Sequence, residues 1–223
     1  MTWSVLPVKA EFVASKEHFG EGGLEGLTSS TDDFKGQEWV VKKYLPATLA
    51  HLQETGQSAE DHSKKIVQTH MLAGNFAEQL QSSIATKCLS EFGATFSYNK
   101  VYMGRIESSS EYVTIEEFIE GKFRKYVNND GTICARVDDI DLSLKAVCLV
   151  HFSFHISNGE LMLLDIQGAG MMLCDPEIAS CKLLSEDNQY MYCAGNMSLQ
   201  GIEKFKNSHT CNKYCKALAL STL

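Results

Sequence analysis

The first half of the chain is patterned as short strands on either side of one long helix. Residues 1–45 contain two apolar, strand-like runs separated by a glycine cluster at 20–26, and the second run, residues 38–44, ends before Pro46. Residues 67–88 repeat apolar side chains at helical spacing, which predicts an amphipathic helix. Its predicted buried stripe consists of Val67, Met71, Leu72, Phe76, Leu80 and Ile84.

Polar intervals and further strands surround this helix. Residues 47–65 are polar and predict either a loop or an exposed helix. Residues 94–106 and 112–119 have strand-like patterns, and the serines at 108–110 predict a turn between them. Residues 121–131 are polar, with two glycines and two asparagines, and predict a loop.

The second half alternates apolar helical and strand-like segments. Residues 142–154 are apolar enough for a buried helix. Residues 160–173 begin as a buried strand, which we expect to break at Gly168 and Gly170. Residues 198–218 follow a helical period. This half is therefore predicted to mix helices and strands.

Together these patterns predict an α+β fold in a single domain of two lobes. The length of 223 residues suits one large domain or two small lobes. We place a β-rich N-terminal lobe at about 1–117, a mixed C-terminal lobe at about 118–223 and a hinge near 116–121. The hydrophobic share of 44% and the charged share of 22% are ordinary for a globular protein.

Charge and cysteine content narrow the functional classes. A formal net charge of -8 argues against nucleic-acid binding through neutralised phosphates. The sequence predicts no membrane-spanning segment, since no apolar run reaches about 18 residues, and its N-terminus lacks a signal-peptide pattern. The eight cysteines therefore predict reduced thiols or metal ligands in a cytoplasmic protein, and the oligomeric state is open.

Three oxygen-bearing side chains near the end of a buried strand are candidate metal ligands. Asp165 ends the strand, Gln167 follows it, and Asp175 lies ten residues after the first aspartate. Carboxylate and amide oxygens hold divalent cations, and phosphoryl transfer needs mainly a metal and a group that orients the attacking hydroxyl. The alternative is that Asp165 ends the strand and Asp175 caps the turn before Pro176.

Two N-terminal features are weaker candidates for phosphate contacts. Lys42 lies on the predicted strand 38–44 and could reach a nucleotide phosphate, but adjacent Lys43 must face the opposite side, and both could be solvated. The glycine cluster, which includes Gly22 and Gly23, would let the main chain approach phosphates. It matches neither a Walker nor a Rossmann motif, so a flexible turn is the alternative.

A possible zinc site lies near the C-terminus. His209, Cys211 and Cys215 offer three of the four nitrogen and sulfur ligands of a structural site, and on a helix the two cysteines would share a face. Either His151 or His155 could supply the fourth ligand. The alternative is a pair of buried helix cysteines that act as small hydrophobic residues.

In this order, these segments resemble the alpha-kinase family of atypical protein kinases over residues 19–220. The resemblance is carried by WVVKKY (39–44), EEFIEGKFRKYVNNDG (116–131), ELMLLDIQGAG (160–170) followed by DPEI (175–178), and GNMSLQGIEKFKNSHTCNKYCKALAL (195–220). The HRD and DFG motifs of ordinary protein kinases are absent from the sequence. The resemblance implies a two-lobed alpha-kinase fold with a zinc-stabilised C-terminal lobe.

The same resemblance implies the function and the site residues. It implies a protein serine/threonine kinase that uses Mg-ATP, with a protein substrate as partner. The implied catalytic residues are Asp165 and Lys42. The implied ATP-binding residues are Lys42, Glu116 and Ile119 in the hinge, Lys125, Asn128 or Asn129 in the loop that follows, Gly22, Gly23 and Asn196. The implied metal ligands are Gln167 and Asp175 for Mg²⁺, and His151, His209, Cys211 and Cys215 for a structural Zn²⁺.

Three positions depart from the family pattern. Glu25 stands where an arginine is usual, Val127 replaces the first asparagine of a run of three, and Ser198 replaces a glycine although serine adopts positive φ less readily. Glu25 and Ser198 motivate the alternative of a catalytically impaired pseudokinase that binds nucleotide or partners. A zinc-stabilised domain without a nucleotide site is a third hypothesis, which predicts no stabilisation by ATP.

Overall fold

The elements alternate strands and helices along the whole chain. The computed structural model describes residues 12–18, 24–29, 38–134, 138–186, 189–193 and 195–223, with backbone alone for the first two segments. In the described residues the first elements are β1 (Phe12–His18), β2 (Leu24–Ser29), β3 (Glu38–Lys43), α1 (Pro46–Glu54), α2 (Ala59–Thr86), β4 (Ser97–Tyr98), β5 (Val101–Arg105), β6 (Tyr112–Glu117) and β7 (Phe123–Val127). They are followed by α3 (Ile140–Ile156), β8 (Leu161–Leu164), β9 (Ile166–Ala169), β10 (Met172–Cys174), β11 (Glu177–Ser180), α4 (Ser198–Ser208) and α5 (Lys213–Ala217).

A five-stranded antiparallel sheet forms the first of two units. The unit combines the described residues up to Ser63 with Lys100–Phe118, and its strand order is β1-β2-β3-β6-β5. Along β3, buried Trp39 and Val41 alternate with Val40 and Lys42, which are partly exposed. The alternation follows from the two-residue period of a strand, and it places Lys42 on the face opposite Trp39 and Val41.

The second unit, Lys64–Asn99 with Ile119–Leu223, contains two smaller sheets and most of the apolar core. Its four-stranded sheet has the order β4-β10-β9-β7, and β11 pairs with β8 in a separate ladder. The apolar helix α3 packs against β8, and Asp139 caps its first turn by accepting a hydrogen bond from Leu142 N. Residues 64–99 group with this unit, although the lobe boundary expected from sequence assigned them to the first lobe.

Several predicted elements are confirmed. The α+β class holds, and α2, α3, β3 and β6 lie where the sequence pattern placed them. The polar interval 47–65 contains helices rather than a loop, since α1 begins at Pro46, a residue suited to a first helical turn. In the described part of the chain, no helix is long and apolar enough to cross a membrane.

Other elements differ from the prediction. Met71 is 58% exposed, so it does not belong to the buried stripe of α2. Residues 123–127 form strand β7 rather than a loop, because pairing with β9 satisfies their main chain despite the polar sequence. The strand after residue 160 breaks at Asp165 instead of Gly168, which lies inside β9. The predicted helix 198–218 is two helices, α4 and α5, because Asn212 caps a new helix.

Gly131 occupies a position that only glycine fits. Its φ is +84°, and a Cβ there would lie 2.3 Å from the main-chain oxygen of Gly201 and 2.9 Å from Phe205 N in α4. Both neighbouring atoms belong to the backbone, which cannot move aside as a flexible side chain can. The turn after β7 is therefore packed main chain to main chain against α4.

We predict that Gly131→Ala lowers the free energy of unfolding by about 2 kcal/mol or more beyond the cost of positive φ alone. Gly170→Ala is the matched control, because Gly170 has a φ of +57° and a Cβ there would meet no atom of the described residues within 4 Å. Urea denaturation of both variants measures the difference. Equal losses would contradict the close packing at Gly131.

Candidate functional site

Asp165 lies at a sharp change of direction between two strands. Its φ is +53°, and it separates β8, which pairs with β11, from β9, which pairs with β7 and β10. Aspartate tolerates the left-handed region better than most residues do. The positive φ of Asp165 redirects the main chain from the β8–β11 pair to the sheet that contains β9. It also takes the Asp165 side chain out of the regular alternation of a strand.

The Asp165 carboxylate is largely buried and held by two partners. Lys125 Nζ lies 2.6 Å from Oδ1, and Gln167 Nε2 donates to Oδ2 at 2.8 Å. Burial raises the pKa of Asp165 because it disfavours the charged form, while the Lys125 ammonium opposes that shift. The register that sets Lys125 of β7 opposite Gln167 of β9 brings both partners to the carboxylate.

Gln167 links Asp165 to Asp175. Its amide nitrogen donates to Asp165 Oδ2 and, at 3.2 Å, to the main-chain oxygen of Asp175. Because the nitrogen is used in this way, the amide oxygen is the group that remains to coordinate a cation. Asp175 is exposed and also has a positive φ, +46°. The donor set of one amide oxygen and carboxylates is the kind that Mg²⁺ takes.

Glu177 is a carboxylate near this group that the sequence analysis did not single out. Its Oε2 is buried without a hydrogen-bond partner among the described residues, and burial raises the pKa of Glu177 to about 7, with further contributions from Asp165 and Asp175. A Cβ at Gly195 would lie 2.3 Å from its carboxyl group. The signal available in the sequence was its position two residues after Asp175 on a strand.

In the first unit, Lys42 makes an ion pair with Glu116. Lys42 Nζ lies 2.8 Å from Glu116 Oε2, and Thr114 donates to Oε1 at 3.2 Å. Glu116 is buried. Lys43, the residue after Lys42, is exposed, and its Nζ lies 3.9 Å from Glu111 Oε2. The structure therefore separates the two lysines that the sequence left as alternatives. It also shows that the side chain of Glu116, a residue expected in the ATP-binding hinge, is paired with Lys42.

Among the described residues, Asn128 and Ile119, which are also expected to contact nucleotide, lie outside regular strands and helices. Asn128 N donates to Thr132 O at 2.9 Å in the turn after β7, and Ile119 is partly buried at the start of the second unit's C-terminal segment. Gly22 and Gly23 lie outside the described residues, as does the side chain of Glu25. Contacts of these residues with ATP remain predictions.

Asn196 organises the loop before α4. Its Oδ1 accepts from Ser180 N at 3.1 Å and from Ser198 N at 2.9 Å, and its Nδ2 donates to Ser180 Oγ and Met191 O. Ser198 has a φ of +47°, and its hydroxyl donates to Ser180 O at 2.9 Å. The serine thus adopts the left-handed conformation expected of glycine, and hydrogen bonds offset part of its strain.

Four nitrogen and sulfur donors converge near the C-terminus. The ligand atoms of His151, His209, Cys211 and Cys215 all lie within 4.8 Å of one another. His209 Nε2 is 3.1 Å from His151 Nδ1, and Cys211 Sγ is 3.8 Å from the same nitrogen. Of the two histidines that the spacing left open, His151 belongs to this group of converging donors and His155 does not. Two imidazole and two thiolate donors form the ligand set typical of tetrahedral zinc.

One premise of the predicted metal site was wrong. Cys211 lies in the segment between α4 and α5, so it does not share a helix face with Cys215. The break lets His209, Cys211 and Cys215 approach His151 from different directions. A hydrogen bond from buried Cys148 lowers the pKa of the Cys215 thiol, with the two histidines as further contributors. The chemistry of the cluster favours a bound cation over a purely apolar packing role.

Comparison with known proteins agrees with the resemblance seen in the sequence. The model of the alpha-kinase family matches residues 20–215. "Transient receptor potential cation channel subfamily M member 6" of Homo sapiens is 27% identical over 226 residues, covering 95% of this chain and 10% of that protein. "Eukaryotic elongation factor 2 kinase" of Mus musculus is 36% identical over 107 residues, covering 48% of this chain and 13% of that protein. The chain thus spans about a tenth of the length of these relatives.

A solved structure shares the fold. The alpha-kinase domain of myosin heavy chain kinase A in complex with ADP superposes with a TM-score of 0.73 at 18% identity, covering 96% of this chain and 89% of that one. The same domain without ligand gives a TM-score of 0.72 at 16% identity. The architecture is therefore the alpha-kinase fold.

We predict that Glu177→Gln removes a pH-dependent part of the stability of the metal-free protein. The pKa of Glu177 is raised from 4.5 to about 7. Its favourable contribution to the free energy of unfolding is therefore fully present below 4.5 and is lost as the pH rises through about 7. The free energy of unfolding of the variant, relative to that of the parent chain, should therefore rise by about 1–3 kcal/mol between about pH 5 and about pH 8.

Urea denaturation at the two pH values measures this gain, with Glu203→Gln as the control, because Glu203 is an exposed residue of α4. A stability difference between Glu177→Gln and the parent that is the same at both pH values would show that Glu177 is not titrating in this interval.

Proposed function

The chain belongs to the alpha-kinase family, and on this basis we propose that it is a protein serine/threonine kinase that transfers the γ-phosphate of Mg-ATP to protein hydroxyl groups. The observation that carries the proposal is the Asp165 carboxylate, held by Lys125 and Gln167 at the break between β8 and β9. Kinases need a positioned carboxylate beside metal ligands, and this segment offers both.

Asp165 is proposed to orient the attacking hydroxyl and accept its proton. Its second oxygen is fixed by Gln167 Nε2, and the ion pair with Lys125 favours the charged form although burial raises the pKa of Asp165. A general base needs a proton affinity above that of an exposed carboxylate; burial raises the pKa of Asp165 in this direction, and Lys125 limits the rise.

Lys42 is proposed to contact the ATP phosphates. The buried Glu116 carboxylate holds the ammonium group 2.8 Å away, which restricts the long lysine side chain before any ligand binds. A lysine fixed by a glutamate loses less conformational freedom when it takes up a phosphate oxygen.

The residues present fit a divalent cation. Gln167 Oε1 and Asp175 would hold Mg²⁺, and Glu177, whose Oε2 has no hydrogen-bond partner among the described residues, adds a further carboxyl group near Asp165 and Asp175. When bound there, Mg²⁺ would supply positive charge that neutralises the phosphates of ATP. Asp165, Gln167 and Asp175 are linked by hydrogen bonds through one amide group, so their relative positions are set before the cation arrives.

Zinc is proposed as the ion of the His151, His209, Cys211 and Cys215 cluster, with a structural role. Four protein ligands leave no open coordination position for chemistry. The ion would join α3, which carries His151, to the segment from His209 to α5.

The geometry at Ser198 supports an active enzyme over a pseudokinase. The loop expected to need glycine keeps a positive φ with serine, and Asn196 retains its full set of contacts. We therefore do not expect this substitution to prevent nucleotide or substrate binding.

We predict phosphate transfer from Mg-[γ-³²P]ATP to a basic, Ser/Thr-rich protein, with a loss of about 10²–10⁴-fold in Asp165→Asn. The substitution keeps the shape of the side chain and removes its charge and basicity. Asp138→Asn, which changes an exposed carboxylate paired with Arg124, is the control and should retain activity. Equal rates in the parent chain and Asp165→Asn would sink the assignment of Asp165.

We predict about one equivalent of zinc in protein purified without chelators, and its loss in Cys215→Ser. Cys181→Ser is the control, because Cys181 is exposed and outside the cluster. Mass-spectrometric metal analysis and thermal unfolding with and without chelator measure both effects. A parent chain well below one equivalent, with no stabilisation by added zinc, would count against the site.

A further inference from the structure

The two nitrogens of His151 face different partners. Nδ1 faces the donor cluster, with His209 Nε2 at 3.1 Å and Cys211 Sγ at 3.8 Å. Nε2 lies 2.8 Å from the main-chain oxygen of Ser221, beyond the end of α5. The ring itself is fully buried, so water cannot substitute for either partner.

The Ser221 carbonyl fixes which nitrogen carries the proton. A carbonyl oxygen can only accept a hydrogen bond, so Nε2 must be the protonated nitrogen. The lone pair of neutral His151 is then on Nδ1, which points at the cluster. Ligating histidines commonly donate their other ring N–H to a carbonyl or carboxylate, and this contact sets the tautomer and the ring orientation.

The segment that carries this carbonyl is itself well anchored. Leu220 N donates to Cys215 O at 3.0 Å, and Lys87 Nζ donates to Leu218 O at 2.5 Å. Ala219 has a φ of +56°, which turns the chain back toward α3 after α5 ends. Residues 215–221 therefore contain one candidate ligand, Cys215, and the carbonyl that orients another, His151.

We propose that residues 219–223 complete the metal site, with the Ser221 main-chain carbonyl as a positioning group that holds His151 as an Nδ1 ligand and slows metal loss. The inference rests on the zinc proposal above and concerns residues outside its ligand set. Ser221 also places its hydroxyl 3.4 Å from His155 Nδ1, but the proposal needs only the carbonyl.

The test compares two chain ends that differ by Ser221 alone. One variant ends at Ser221 and keeps a carbonyl-type acceptor, and the other ends at Leu220 and removes it. Both variants lack Leu223, which packs against the core, so the loss of this packing affects the two variants equally. Ser221→Ala keeps the carbonyl and removes only the hydroxyl.

We expect zinc transfer to 4-(2-pyridylazo)resorcinol to be about 10–100-fold faster from the variant that ends at Leu220. The variant that ends at Ser221 and Ser221→Ala should stay within about threefold of the parent chain, since both keep the acceptor. Equal release rates from the two shortened chains would overturn the proposal while leaving the zinc site and phosphate transfer intact. A parent chain without zinc would overturn this proposal and the zinc assignment together.

A second measurement needs no truncation, so it decides the question if the shorter chain fails to fold. Ring ¹⁵N chemical shifts of His151 in the zinc-loaded parent chain should show a protonated Nε2 and a metal-bound Nδ1. A metal-bound Nε2 with a protonated Nδ1 would overturn the proposed role of the Ser221 carbonyl.

Discussion

Asp165 is a carboxylate held largely out of water, and the ion pair with Lys125 at 2.6 Å offsets much of the cost of burying it. The arrangement depends on the chain around it. The positive φ of Asp165 moves the backbone from one ladder to another, and the pairing of β7 with β9 brings Lys125 and Gln167 to the same carboxylate. Removing Lys125 or Gln167 would leave an oxygen of this buried carboxylate without its partner, which is costly in a low-dielectric interior.

The C-terminal part of the second unit supports this group through α4. The loop before α4 is organised by Asn196, one turn of the helix meets Gly131 main chain to main chain, and its C-terminal end leads to His209. The turn after β7 is therefore fixed by the helix that ends at the His/Cys cluster. The proposed structural ion would act on the segment around Asp165 by holding α4 and α5 in place, without taking part in the chemistry.

The sequence predicts α2 well because burial of one face dictates a helical period, and it predicts α3 well because a long apolar run indicates a helix buried on all sides. It misses β7, whose polar residues are held by pairing with a strand distant in sequence. The identity of the fourth residue of the His/Cys cluster and the burial of Glu177 also depend on distant contacts. The position of Glu177 two residues after Asp175 does not reveal that its carboxyl group is buried without a hydrogen-bond partner among the described residues, close to Gly195.

The most direct test of the account is to follow the phosphoryl group itself. The protein would be incubated with a basic Ser/Thr-rich substrate and Mg-ATP labelled with oxygen-18 on its γ-phosphoryl group, and the modified residues identified by mass spectrometry. Phosphoserine or phosphothreonine that retains the labelled non-bridging oxygens is the predicted result. Labelled inorganic phosphate without any protein phosphoester, from folded and metal-loaded protein, would contradict the assignment of a protein kinase.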